Sequence, residues 1–266
     1  MSKSILRFLL SFAVCVFAVT ASVAQGPAVQ DERSEAVIKR ALEKLGGDKY
    51  LRVRTQYSTG FFTMFKDGIA DPPSAFVDVI AFPDRERTEF KQFGAKIIQT
   101  NSGDQGWIFD GSTNNIRNQR PTEISNFQRG IRTSIETLLR GEWRNKNAKL
   151  SYVGRREASL GKRNDVVKLA YEDGFEVEYE FSAEGLPMKS IFKTKGEEDA
   201  EIKEEDRFAQ FVLIDGVLVP FIVDNFVNGK QVTRINYEKI ELNKAVPDSI
   251  FTKPADVKQL KKDLKL

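Results

Sequence analysis

A chain of 266 residues with no histidine and one cysteine lacks the side chains that most often do chemistry near neutral pH. Ser/His pairs and His/Cys zinc clusters are excluded, and the sole thiol, Cys15, falls in an apolar leader. The 41 Lys+Arg stand against 38 Asp+Glu, and Lys3 and Arg7 belong to the leader, so the remainder is close to neutral and has no basic excess for nucleic acid.

The leader reads as an export signal. Lys3 and Arg7 make its positive start, residues 8–19 are apolar, and Ser22-Val23-Ala24 puts small residues where a signal peptidase reads. The apolar run is shorter than the ~20 residues that cross a bilayer. Val14 before Cys15 does not suit lipidation. Cleavage after Ala24, a periplasmic location and one domain over residues 25–266, stabilised by burial without disulfides, are the expectations.

A helix comes next: Asp31 or Ser34 can cap it, Val37, Ile38, Ala41, Leu42 and Leu45 recur at helical spacing, and Gly46-Gly47 stops it. The period then changes to two. Candidate strands cover residues 53–66, 74–82, 86–93, 95–100 and 106–109, then 150–156, 165–171, 175–181, 188–194, 200–214, 217–227 and 231–242. Between the two sets lies a second helix with Thr122 as its cap and Ile124, Phe127, Ile131, Ile135 and Leu138 as one apolar stripe. It is either a plug of ordinary core or a lid. Asp215-Gly216 and Asn228-Gly229 are hairpin signals. The fold expected is mainly β (α+β): a single curled antiparallel sheet of about 11 strands, an incomplete β-barrel with an N-terminal helix and a central lid or plug helix.

The strands differ in kind. Phe175, Val177, Tyr179 and Phe181 alternate with Glu176, Glu178 and Glu180, which reads as one solvated face. Phe61, Phe62, Met64 and Phe65, and residues 76–82, are apolar in both directions, so both faces need covering. The N-terminal helix can take one. The other meets packed core or an apolar pocket.

Three segments carry a family resemblance: Phe82-Pro83-Asp84-Arg85-Glu86-Arg87 after a strand, Gly103-Asp104-Gln105-Gly106-Trp107-Ile108-Phe109 as a hairpin entering one, and Pro247-Asp248-Ser249-Ile250-Phe251-Thr252-Lys253-Pro254 where the sheet ends. In order and spacing they resemble the periplasmic lipoprotein carriers of the LolA/LolB superfamily. Leu45-Gly46-Gly47 through Thr55, and Asp215-Gly216-Val217-Leu218-Val219-Pro220, are similar to its outer-membrane lipoprotein-sorting branch. The likeness covers most of the chain after the leader. It implies a half-barrel whose concave apolar face, closed by helices, shelters acyl chains in an aqueous compartment. One position departs from the pattern: Phe82 precedes Pro83 where the best-known carriers have a basic residue that helps hold the lid, and Arg85 and Arg87 are the neighbouring substitutes.

The expected ligand-binding set is Phe62, Met64, Phe76, Ile80, Phe90, Trp107 and Phe109 from the strands, with Ile124, Phe127, Ile131, Ile135 and Leu138 from the helix; Trp107 also suits a core position. No catalytic residue, metal or cofactor is expected. Glu86 with Glu89, and Asp104 with Asp110, are the only carboxylate pairs weighed for a hydrolase, and a solvated ion-pair face explains the first more cheaply. Asp67-Gly68 and Asp110-Gly111 read as loops, since calcium needs more acidic ligands. The charges over residues 197–207 read as an exposed loop and strand start. Arg155, Arg156, Lys162 and Arg163 read as a solvated hairpin, and the basic tail over residues 258–265 as helix-compatible.

The function expected is an exported monomeric carrier of lipid or lipoprotein acyl chains, in transient contact with a membrane surface or envelope transport proteins. The alternative is a regulatory domain that senses lipoprotein and holds a protein partner.

Overall fold

The computed structural model describes residues 32–263 except 93, 197 and 198; the leader, its cleavage site and Asp31 lie outside them. In chain order the strands are β1 (Thr55–Lys66), β2 (Ile69–Ala70), β3 (Ser74–Ala81), β4 (Arg85–Gln92), β5 (Ala95–Ser102), β6 (Gln105–Asp110), β7 (Asn115–Asn118), β8 (Lys149–Ser159), β9 (Lys162–Ala170), β10 (Glu176–Phe181), β11 (Pro187–Lys195), β12 (Glu201–Ile214), β13 (Val217–Val227) and β14 (Lys230–Leu242). They form one antiparallel sheet in the order β7-β6-β5-β4-β3-β1-β14-β13-β12-β11-β10-β9-β8, with β2 paired only to the end of β1. Its edges, β7 and β8, do not meet, so the sheet curls without closing. The two strands beyond the expected dozen are β2 and β7, too short to show a period of two.

Pairing of β1 with β14 joins two meanders into this sheet. Asp215-Gly216 and Asn228-Gly229 form the last two hairpin tips, all four residues at positive φ as tight antiparallel turns require. To pass from β7 to β8 the chain must cross between opposite edges of the sheet. Its helices fall on that crossing: α3 (Pro121–Thr133), α4 (Ile135–Arg140) and a 3₁₀ turn over Glu142–Lys146, after α1 (Glu32–Leu45) and α2 (Asp48–Leu51) and before α5 (Val257–Asp263).

The single helix expected over residues 124–138 is two. Ser134 leaves the helical region at ψ 147°, ends α3 and caps α4, its Oγ accepting from the Thr137 N–H at 3.1 Å. A serine in a helix interior offers the backbone this alternative partner, and here it takes it. Thr122 is not the cap of α3. Arg120 holds that position, and the Glu123 carboxylate reaches back to accept from its N–H at 2.7 Å, next to Pro121 at the first helical residue. Ser34 likewise sits inside the first turn of α1.

The main core fills the concave side of the C-terminal meander. Val37, Ile38, Ala41 and Leu45 of α1 and Ile135, Leu138 and Leu139 of α4 pack there with Trp143, Leu150, Val167, Leu169, Val177, Tyr179 and Phe181. So α1 covers that half rather than the doubly apolar early strands. Its C-terminus is pinned by Gly46, at φ 127°, where an added Cβ would lie 2.5 Å from the Gly216 carbonyl oxygen. The early strands take their second layer from the C-terminal segment on the convex side. Val79 and Ala81 pack with Ile250 and Phe251, while Ile98, Trp107 and Phe109 pack with Leu260 of α5.

Two surfaces expected to be solvated are partly closed. Glu180 is fully buried and accepts from Arg156 at 2.9 Å and Asn164 at 3.0 Å. Glu205, also buried, lies among Lys189, Lys203 and Arg207. Arg155 is held by Asp165 and Arg156 by Glu178 and Glu180, so the basic hairpin is an ion-pair lattice. Long charged side chains cover neighbouring carboxylates on a sheet face as apolar stems cover hydrocarbon.

Candidate functional site

A cavity of about 660 Å³ lies between α3 and the concave face of the N-terminal meander. Register decides which strand side chains reach it. Gln56, Ile80 and Glu86 stand opposite one another across β1, β3 and β4 and all line it. Tyr237, Val223 and Phe208 extend the wall through β14, β13 and β12, and Glu123, Asn126, Phe127, Gly130 and Ile131 of α3 form its roof. Beyond Phe82 a void of about 40 Å³ continues toward the core, lined by Tyr50, Ile135 and Arg140 among others. Size and lining suit a small-molecule or lipid-chain site.

Of the twelve residues expected at the site, Ile80, Phe127 and Ile131 line the cavity and Ile135 the smaller void. Phe62, Phe76 and Phe90 share the concave face but stack outside this wall, Phe62 on Phe90 and Phe76 on Tyr237, each pair edge-on at 5.8 Å. Met64 is half exposed near the far end of β1. Leu138 is 1 % exposed and belongs to the main core. Trp107 and Phe109 are on the other face altogether. Both sit at odd positions in β6 opposite Thr100 and Ile98, under the C-terminal segment, and the Trp107 indole N–H donates to the Phe251 carbonyl at 3.1 Å. Ile124 and the rim of Trp107 line a separate polar groove with Gln119, Asp248 and Lys253.

The roof is attached mainly at its ends. At the N-terminus Arg117 grips Glu123 through two hydrogen bonds of 2.8 Å, which holds that carboxylate far below its usual range. At the C-terminus Arg132 makes two bonds to Asp173 at 2.8 and 2.9 Å and lies over the rings of Tyr171 and Phe175. The Arg132 pair and the Phe175 N–H hold the Asp173 carboxyl down to about 2. Tyr171 and Tyr179 hydroxyls donate to the Arg132 carbonyl at 3.1 and 3.3 Å. Between these anchors Asn126, Gln128 and Gly130 are exposed. Thr133 is the one buried residue of α3, whereas α4 buries four of six. The stripe read as lid or plug divides at Ser134 into a lightly packed roof and a core helix.

Neither Arg85 nor Arg87 reaches the helices. Arg85 stands at the cavity rim and turns toward the convex side, where it binds Asp248 at 2.7 Å, and Arg87, 2 % exposed, points to that side and donates to Glu89 at 2.7 and 3.0 Å and to the Ile250 carbonyl at 2.8 Å. At the departing position itself, the Phe82 ring lies 4.1 Å from the Arg140 guanidinium of α4.

The carboxylate pairs read from sequence are split by geometry. Glu86 faces the cavity and Glu89 the convex side, and Asp104 and Asp110 stand at opposite ends of β6, roughly 20 Å apart at strand spacing. Asp110 accepts from the Ser112 N–H at 2.8 Å and closes a turn. The reading missed a different pair. Asp78, opposite Thr88, is the diagonal neighbour of Glu86 on the concave face. Burial first, then the Glu86 charge, push the Asp78 carboxyl well above its usual range against the opposing Thr88 hydroxyl, which donates to it at 2.7 Å. Burial alone raises Glu86, and burial against Arg140 raises Glu136. Alternation in residues 76–82 and 86–93 carried the signal, since even positions in both strands share one face.

No family model and no curated protein matches the chain. Among solved structures, a DUF1329 family protein from Desulfovibrio piger superposes with a TM-score of 0.60 at 12% identity, covering 82% of this chain and 97% of its own. A LolA superfamily protein from Nitrosomonas europaea does so with a TM-score of 0.54 at 15% identity, covering 85% and 99%. Among the described residues no helix is long and apolar enough to cross a membrane. An unclosed antiparallel sheet curled around a helical crossing is the fold that this chain shares with these two proteins, over more than four fifths of its length.

Proposed function

We propose that this chain is an exported binding protein that shelters a lipid or lipoprotein acyl chain in the α3 cavity during passage through the cell envelope. The observation that carries this reading is the roof. A cavity of about 660 Å³ is covered by a helix with one buried residue, tied down at its two ends by partly exposed ion pairs. Transfer of apolar surface supplies the affinity: each methylene taken from water contributes about 0.8 kcal/mol, so a long chain outweighs the ordering of one helix. Nothing in such a task calls for a reacting group. The fold family and the signal-like leader support the periplasm as its place of work.

Native mass spectrometry of the exported protein, followed by solvent extraction, is the direct test. A co-purifying lipid, or saturable uptake of a fluorescent acyl probe with an uncharged end, is the expected result. Protein that is empty and takes up no such probe refutes the proposal.

A further inference from the structure

We propose that the cavity selects amphiphiles with a cationic polar end, a long-chain amine or an ammonium-bearing lipid, and that Glu86, with Asp78 behind it, is the seat of the cation. This rests on the reading of the cavity as an apolar-ligand site and names the ligand class that site would take.

Acidic groups without a cationic partner stand inside an aromatic wall. Three carboxyl groups line the cavity beside the exposed rim residue Asp84, and one of them, Glu123, is consumed by Arg117 and Arg120. Glu86 and Glu136 make no ion pair within 4 Å among the described residues. The cations nearby are engaged elsewhere: Arg85 by Asp248 and the Phe251 ring, Arg140 by the carbonyls of Tyr50 and Leu51 at 3.3 Å and by the Phe82 ring. Arg140 partly offsets Glu136; Glu86 has no such neighbour and faces another acid, Asp78.

A second observation falls on the same patch. Ser58 of β1, directly opposite Asp78 and on the Gln56 side of its strand, is fully buried with its Oγ unpartnered. Buried polar groups without partners are rare in a finished interior, so unsatisfied polarity adjoins the Asp78–Glu86 pair just behind the cavity wall. The aromatic members of the wall, Phe82, Phe127, Phe208 and Tyr237, supply rings of the kind that attract a cation. An acyl chain ending in a carboxylate would add like charge to this wall. An uncharged chain would leave the acids to bury their protons.

The groups facing the two acids are these. Glu86 meets Asp78 from β3 and Tyr237 from β14, with Asp84 and Arg85 at the rim; Glu136 meets Arg140 of its own helix, Tyr50 of α2, Tyr179 of β10 and Tyr237. Desolvation raises the Glu86, Asp78 and Glu136 carboxyls, so in the empty cavity they hold protons to higher pH than free carboxyls do. A bound cation favours the ionised form and expels them. Binding of a cation therefore releases protons, and affinity rises with pH through the empty-state range and then levels.

The test is calorimetry on the full protein with three probes of one chain length, each below its micelle concentration: dodecyltrimethylammonium, dodecanol and dodecanoate, over about pH 5 to 8. The cation binds about tenfold tighter than the alcohol at the upper end, as a charge pair inside an aromatic wall supplies. Dodecanoate binds weakest, and the heat for the cation varies with the buffer's ionisation enthalpy. Glu86→Gln removes the advantage of the cation over dodecanol and lowers its proton release, and unchanged emission of the two buried tryptophans reports that the variant is folded. Dodecanol binding with no preference for the cation, or a preference that survives Glu86→Gln, overturns the inference alone. Failure of all three probes overturns the apolar-ligand reading and this one with it.

Discussion

Truncation of Phe127 and of Leu138 distinguishes a roof from a core, because one apolar stripe in the sequence puts them on either side of the Ser134 break. Leu138 is 1 % exposed and packs with α1 and the β8–β10 face, and its carbonyl accepts from the Trp143 indole N–H at 3.0 Å. Leu138→Ala therefore costs about 3 kcal/mol, the transfer loss plus a cavity. In a chain of this size that lowers Tm by roughly 8 °C. Phe127 is half-buried and faces the cavity, so Phe127→Ala costs the fold less than about 1 kcal/mol. The same substitution strips ring surface from the ligand's wall. Half of a full phenylalanine burial is about 1 kcal/mol, which weakens an acyl probe roughly fivefold. Both tryptophans are buried, Trp107 at 3 % and Trp143 at 0 %, so their emission follows unfolding, while probe displacement follows binding. Equal losses of stability in the two variants, or unchanged probe affinity in Phe127→Ala, would refute the division of the helix into two roles.

Three further substitutions probe how the sheet is held. Asp165 accepts from Tyr152 at 2.9 Å and Arg155 at 3.0 Å and pairs with Arg40 of α1; burial raises its carboxyl, but these partners outweigh it and hold the folded value low. Its stabilisation is full above the unfolded value near pH 4 and is lost as pH falls through the folded one. Asp165→Asn accordingly costs about 2 kcal/mol at pH 7 and makes denaturant midpoints less sensitive to acid. Arg87→Met removes the donor to the Ile250 carbonyl and strands part of Glu89, costing about 2 kcal/mol. The C-terminal segment then loosens from β4 to β6, read as faster proteolysis near Lys253 and red-shifted Trp107 emission. Gly46→Ala meets both a φ of 127° and a carbonyl at 2.5 Å, so it destabilises by about 2 kcal/mol or more, and amide exchange accelerates in α1 and the β12–β13 hairpin together.

The sequence carried the strands and their turns because period two and Asp-Gly or Asn-Gly dipeptides are local signals. It carried the need for two cover layers on the early strands but not which layers. The choice between α1 and the C-terminal segment depends on contacts between residues far apart in the chain, such as Val79 with Phe251. Ile80, Phe127 and Ile131 are legible as cavity residues because each lies on an apolar face that needs a partner. Trp107 takes its core alternative and Phe109 lies with it on the convex side, an outcome set by strict alternation along β6 and its register with β5. The helix break was less legible: Ser134 interrupts no apolar position, so the spacing of the stripe runs through it unbroken.

At Phe82, where the carriers that the sequence resembles have a basic residue, the contact between sheet and helices is made in a different way. Arg85 and Arg87 stand at odd positions of β4, and register sends both outward, so neither can supply a basic contact from the sheet to the helices. Here the ring is on the sheet and the cation on the helix: Arg140 caps the face of Phe82 at 4.1 Å and that of Tyr50 at 5.3 Å. The contact clamps α4, which is already core, and leaves α3 to the ion pairs at its ends. These pairs are only partly exposed, the Arg117–Glu123 pair the less so, and solvent screening keeps the cost of breaking them below that of opening a buried pair. Under the proposed function, each methylene entering the cavity contributes about 0.8 kcal/mol, so a chain of modest length would outweigh the release of α3 while α4 stays docked. Such a release would turn about Ser134, where one residue both ends the roof and caps the core helix.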